Sequence, residues 1–383
     1  MDLRPEFVLP VDAERATLVG RVFLPSVGGP AVVAIVGGEV IDVTRRYPTM
    51  RDLCEAESPV LDGVSLGPLE AILAATPRAA RSTTPWLLAP VDLQAVKASG
   101  VTFAVSMLER VIEEQARGAP ERAAAIRGEI GATLGHDIAH LRPGSPEASA
   151  LKELLVAKGM WSQYLEVGIG PDAEIFTKAQ PMAAVGHLAE IGIHPVSTWN
   201  NPEPEVVVIA SSKGRIVGAT LGNDVNLRDV EGRSALLLGR AKDNNASAAI
   251  GPFVRLFDEH FGLHDVEQAE IGLRVSGADG FVLEGKSAMS LISRSPSELV
   301  RQTLSANHQY PDGLALYLGT MFAPVADRGA PGKGFTHAVG DEVTIASPRL
   351  GRLQNTVVRC PDAEPWTFGT SALFRNLAAR GLL

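Results

Sequence analysis

Two carboxylates stand one residue apart in PEPEVVVI, Glu203 and Glu205, at the mouth of an apolar run with strand character. Side chains alternate faces along a strand, so the pair points one way about 7 Å apart, and such anions repel unless something positive lies between them. A third acid, Asp224 in LGNDV, follows the hairpin signal EVVVIA, SSKGR, IVGATLG. With the turn centred near Ser212 and Lys213, Asp224 pairs near Asn201 and returns to the volume of the two glutamates. Oxygen donors with no Cys or His beside them favour a hard dication: Mg2+, with Mn2+ or Ca2+ as neighbours in chemistry. On spacing alone a plainer alternative stays open, in which the glutamates mark the polar start of a strand.

The next segment, RDVEGRSALLLGRAKDNNAS, adds Arg228, Lys242, Asn244, Asn245 and Ser247. A lysine desolvated near a metal can lose its proton near neutral pH and act as a general base. The alternatives are a solvated surface position for Lys242 and a structural ion pair, with an acid such as Asp229, for Arg228. His187 and His194 flank this region and read as structural histidines.

The elements that must position these groups are legible in outline. AVVAIV, Gly37-Gly38 and EVIDVT form two strands joined by a turn that glycine permits, followed by helix-like LGPLEAILAAT. TPRAARSTTPWLLAP, from Thr76, has the composition of a linker and sets a boundary near residue 84 between a small N-terminal α/β domain, 1–83, and a larger domain, 84–383. From about 104 to 159 the composition turns to Ala, Glu and Arg at helical spacing, a helical excursion. EIGLRV, GFVLEG and DEVTIA then add short strands, and Ser295-Pro296-Ser297-Glu298 has the form of a capping box.

With 383 residues, 45% of them hydrophobic, the chain can bury a sizeable core. A net charge of −9 without a basic cluster argues against a nucleic-acid partner, and an anionic substrate needs a local cationic device. The two cysteines, Cys54 and Cys360, lack metal-ligand spacing and suit a reducing compartment. No apolar run spans a bilayer and no signal peptide is visible, so no membrane partner is expected and the cytoplasm is the default location.

In order, PEPEVVVI, GATLGNDVNLRD, AKDNNASAAIGPF and LALYLGTMFAP resemble the fumarylacetoacetate hydrolase superfamily from about residue 84 to the end. The resemblance implies an α+β fold, a mixed β-sandwich roll, with Glu203, Glu205 and Asp224 as metal ligands and Lys242 at the substrate. Gly319-Thr320-Met321 keeps the Gly and Thr of the family's GTP motif, which makes Thr320 a substrate contact. The C–C hydrolases carry a water-activating His in GxNYxxHxxE, whereas GVTFAVSMLE has Ser106 there. Ser106, with RDVEGRSALLLGRAK and its Glu231, is similar to the branch that dehydrates 2-keto-3-deoxy sugar acids. That branch implies a catalytic glutamate at Glu174, with Phe176 and Lys178 in the same segment. Dehydration of a 2-keto-3-deoxypentonate to a 2,5-dioxo acid is the activity implied, with Lys242 and Glu174 catalytic and Arg228, Thr320, Lys178 and Ser106 at the substrate. Rival expectations are an Mg2+-dependent hydrolase of 2,4-diketo-3-deoxy acids or acylpyruvates, an oxo-acid decarboxylase, and a silent sugar-acid binding protein. Resemblance also implies a homodimer.

Overall fold

β-Branched runs punctuated by Gly, Asp and Pro become strands because their side chains pack well on a pleated, half-buried surface. The computed structural model describes residues 3–117, 119–123, 126, 141–157, 159, 161–322, 324–331 and 333–383. Its strands are β1 Leu18–Leu24, β2 Gly29–Val36, β3 Glu39–Asp42, β4 Val64–Pro68, β5 Trp86–Leu88, β6 Ala95–Gly100, β7 Glu174–Ala179 and β8 Glu190–Ile193. They continue with β9 Pro204–Ala210, β10 Ile216–Asp224, β11 Ala248–Leu256, β12 Glu270–Ser276, β13 Val282–Ala288, β14 Leu314–Tyr317, β15 Glu342–Ser347 and β16 Gly351–Arg359. The larger sheet runs β4-β3-β2-β1-β11-β10-β9-β14-β6-β7, with β5 on β1; the smaller runs β13-β12-β15-β16-β8. Pairing is antiparallel except for β14 with β6 and β16 with β8. With its helices the architecture is α+β, as expected.

Strand β9 carries Glu205 and follows directly on Glu203. Val206 and Val208 pack with Leu273, Ile345 and Leu353 between the two sheets, while Val207 and Ile209 pack with Val254 and Tyr317 on the opposite face. Every position of β9 is therefore buried, which is why PEVVVIA reads as a continuous apolar run instead of an alternating one. Fully burying each such side chain stabilises by about 1.5–3 kcal/mol, so the strand's position is firmly held.

The β9–β10 hairpin departs from the expected register. Ile216 stands opposite Ala210, but a bulge intervenes and Gly218 stands opposite Ile209. Asp224 consequently lies across from Glu203, its N–H donating to the Glu203 carbonyl at 3.1 Å, and Asn226, not Asp224, pairs with Asn201. Residues opposite one another share a face of the sheet. Without the extra residue Asp224 would have stood across from Pro202 and pointed to the far side.

Three further expectations are refined. The first 83 residues supply β1 to β4, and these extend the larger sheet through β1 beside β11. Within the supposed linker, Trp86–Leu88 is strand β5, and the Thr76 hydroxyl accepts a hydrogen bond from Leu87 N at 3.0 Å. At the helix Pro296–Thr303, Ser295 caps Glu298 N as expected, but the Glu298 carboxylate accepts from Arg294 and Gln302 and so does not close a capping box. The helical excursion includes Ala104–Ala116 and Pro146–Ala157, while 127–140 lie outside the described residues. Among the described residues no helix is long and apolar enough to cross a membrane.

Gly222 offers a direct check of this packing. It stands across from Glu205, and a Cβ there would lie 2.4 Å from the Tyr317 ring and 2.6 Å from Val207. Gly222→Ala should destabilise the fold by about 1–3 kcal/mol through overpacking. Urea unfolding with an unchanged midpoint would contradict this arrangement.

Candidate active site

Glu203, Glu205 and Asp224 each offer an oxygen within 4.8 Å of the other two, and all three are buried. Each already has donors. Glu203 accepts from Lys242 and from Arg110. Glu205 accepts from Gly319 N at 2.7 Å and from Thr320 Oγ1 at 3.2 Å. Lys242 Nζ lies 3.0 Å from one Asp224 oxygen and Lys178 Nζ 2.8 Å from the other. Gly319 has φ +104°, and a Cβ there would lie 1.9 Å from Thr102 Oγ1, so glycine alone delivers this N–H without strain or clash.

The same acids, with Ser106, Arg110, Glu174, Phe176, Glu231, Lys242 and Thr320, line one small cavity. Glu174 opens β7 and pairs across from Gly100; a Cβ at Gly100 would lie 1.7 Å from a Glu174 oxygen, so the glycine is what makes room for the carboxylate. The Ser106 hydroxyl donates to the Phe103 carbonyl at 2.9 Å. Lys242 lies 5.7 Å from the centre of the Phe176 ring, which favours the cation.

Two of the expected substrate contacts sit farther back. Lys178 is fully buried and donates to the Val225 and Lys242 carbonyls, so it ties together the two segments that carry Asp224 and Lys242. Arg228 does not line the cavity. Its guanidinium meets Glu113 at 2.7 Å, Glu109 at 3.2 Å and the Pro324 carbonyl at 3.0 Å, and stacks 4.3 Å from the Trp199 ring. It braces the helix Ala104–Ala116 against the segment after β10. The arginine that enters the cavity is Arg110, one helical turn beyond Ser106, which also meets Glu113 at 2.7 Å and Glu231 at 3.1 Å. Sequence reasoning passed over Arg110; its signal was the i, i+4 relation to Ser106. His187 and His194 lie outside the site, each accepting a backbone N–H, from Gln354 and Val196.

The electrostatics are those of crowded buried charge. Burial alone would raise the Glu203 carboxyl, but Lys242 and Arg110 hold it down at about 2. Glu205 is pushed well above the usual range by burial and by its neighbours Asp224 and Glu203. Burial, then Glu231, push Glu174 up to about 7 against the pull of Arg110 and Lys242. Burial works against the Lys242 ammonium, yet Asp224, Glu203 and Glu231 outweigh it and hold the proton on. Seven carboxylates, Glu109, Glu113, Glu174, Glu203, Glu205, Asp224 and Glu231, share the region with four cations, Arg110, Lys178, Arg228 and Lys242. Three of these carboxylates converge with oxygen donors only, and the mutual repulsion that pushes Glu205 up is what a hard dication would relieve.

The chain is 33% identical over 156 residues to 2-dehydro-3-deoxy-D-arabinonate dehydratase of Saccharolobus solfataricus, covering 41% of this chain and 51% of that one. It is 29% identical over 198 residues to a probable 2-keto-3-deoxyxylonate dehydratase of Haloferax volcanii, covering 52% and 64%. The matched part thus spans between half and two thirds of these relatives. A solved structure of 2-keto-3-deoxy-D-arabinonate dehydratase complexed with magnesium and 2,5-dioxopentanoate shares the fold, with a TM-score of 0.62 at 23% identity over 89% of this chain and 99% of that one. The fumarylacetoacetate (FAA) hydrolase C-terminal family matches residues 161–358, more than half of the chain, and the protein belongs to that family.

Proposed function

We propose that this protein is a dication-dependent hydro-lyase that dehydrates a 2-keto-3-deoxy sugar acid, a pentonate in the first instance, to a 2,5-dioxo acid. The observation that carries the reading is one cavity holding a three-carboxylate cluster, Lys242 and a Glu174 whose carboxyl is pushed up to about 7. The dehydratase relatives and the magnesium and 2,5-dioxopentanoate bound in one of them support it. The division at residue 84, a cytoplasmic setting and a homodimer belong to the same proposal.

Glu203, Glu205 and Asp224 would hold the dication, Mg2+ first, which would supply Lewis acidity to a bound 2-keto acid. Lys242 takes a proton from C3. Asp224, Glu203 and Glu231 keep its ammonium intact; a dication on Asp224 and Glu203 would weaken two of these three supports and shift the balance toward burial, which favours the neutral amine. Glu174, protonated, gives its proton to the hydroxyl leaving C4, and water departs. Tautomerisation then yields the aldehyde at C5. Arg110, Thr320 and Ser106 line the cavity, while Lys178 and Arg228 act from behind it by fixing Asp224 and the Ala104–Ala116 helix.

Hydrolysis of a C–C bond is disfavoured by Ser106. Its hydroxyl donates to a main-chain carbonyl, so no water-activating imidazole stands at that position. Product analysis with both C4 epimers of 2-keto-3-deoxypentonate, with and without Mg2+, separates the readings. Dehydration gives a five-carbon dioxo acid only when Mg2+ is present; pyruvate and a shorter fragment, or no turnover of either epimer, would overturn the proposal.

Three outcomes follow for this site. Glu205→Gln and Asp224→Asn should each weaken Mg2+ binding by at least ~10-fold in calorimetry, and affinity equal to wild type would remove the metal role. Lys242→Ala and Glu174→Gln should each lower kcat by at least ~100-fold while Mg2+ affinity stays within a few-fold. A carboxyl that titrates at about 7 is protonated below that pH, so kcat/KM should fall as pH rises through about 7. Glu174→Gln should lose that limb; its persistence in the variant would assign it to another group.

A further inference from the structure

A second cavity, of about 370 Å3, lies between β1, β5, the segment after β7 and the stretch before the C-terminal helix Thr370–Ala379. It shares no lining residue with the cavity of the carboxylate cluster. Its walls are apolar, aliphatic at Leu87 and Val185 and aromatic where Phe23 stacks on Trp86 at 4.6 Å and meets Phe368 edge-on at 6.1 Å, with Trp366 beside them and the Arg81 guanidinium 5.1 Å over the Trp86 ring. Arg21 also lines it and is only 4% exposed.

Arg21 is incompletely used by the fold. Its Nη1 donates to the Ala89 and Val91 carbonyls, but Nη2 has only the Met182 thioether, a weak acceptor, at 3.5 Å. The nearest carboxylate, Asp92, stands 3.9 Å from Nε, and its oxygens already accept the N–H groups of Met50, Arg51 and Leu93. Arg21 therefore has one carboxylate beside Nε but only a weak acceptor at Nη2, a donor direction that the oxygen of a bound anion would fill. At the rim Arg81 is neutralised by Glu364 at 2.6 Å, and Glu364 disfavours a second negative charge on anything bound.

We propose that this cavity is a ligand site separate from the candidate active site, and that it takes a flat aromatic monocarboxylate, ring against the apolar walls and carboxylate on Arg21. The volume is within the range of small-molecule sites, and aromatic walls favour a planar apolar body.

trans-Cinnamate is the probe, with uncharged cinnamamide as control, titrated into the full chain by calorimetry and followed by tryptophan fluorescence, since Trp86 and Trp366 line the cavity. Cinnamate should bind saturably at one site per chain, and cinnamamide at least ~10-fold more weakly, as loss of a charge-assisted pair requires. Arg21→Lys should weaken cinnamate binding, and Trp366→Ala, at a position 47% exposed and so tolerant of change, should weaken it several-fold. Saturating Mg2+ with pyruvate, which addresses the carboxylate cluster, should leave it unchanged. Absence of saturable binding, equal binding of acid and amide, indifference to Trp366→Ala, or displacement of cinnamate by Mg2+ with pyruvate would each overturn the proposal.

Discussion

The structure turns on holding like charges together inside a protein. Three carboxylates converge within 4.8 Å in a buried site, where a low dielectric magnifies their repulsion. Nothing in β9 or β10 alone would tolerate this. What makes it possible is a shell of cations delivered from four different segments: Arg110 from the Ala104–Ala116 helix, Lys178 from β7, Lys242 from the end of the Leu238–Lys242 helix, and Arg228 behind them. Removing one partner of such a network leaves an uncompensated charge, which costs far more than the pair contributes.

Register is the second constraint, and it belongs to the backbone. A side chain on a strand has two possible directions, and a shift of one residue exchanges them. The single-residue bulge between Ile216 and Gly218 is therefore what turns Asp224 toward Glu203 and Glu205. Glycines complete the arrangement where a side chain would intrude: Gly222 lets Tyr317 pass beneath Glu205, Gly100 accommodates Glu174, and Gly319 brings a main-chain N–H to Glu205. Dense packing on both faces of β9 keeps these positions from relaxing away from one another.

Much of this was legible in the sequence, and the failures have physical causes. The alternation rule was enough to place Glu203 and Glu205 on one face, and the hairpin signal to bring Asp224 back to them. The exact pairing was misplaced because a bulge leaves no compositional mark in VGAT. Tertiary pairing also outweighed local composition at Trp86–Leu88, where Pro, Ser and Thr suggested a linker but the chain found β1 as a partner. Arg228 was read toward the substrate because it lies close to Asp224 in sequence, whereas the short helix Arg228–Glu231 turns it toward Glu109 and Glu113. Arg110 went unseen because the charge it balances, Glu203, lies 93 residues away.

Whether the three carboxylates form a single dication site is decided by anomalous diffraction from crystals soaked in Mn2+. One strong peak is expected, ligated by Glu203, Glu205 and Asp224, with Lys242 Nζ withdrawn from the oxygens it now contacts. A map with no peak there, or with manganese bound only elsewhere, would mean that the carboxylates hold no metal.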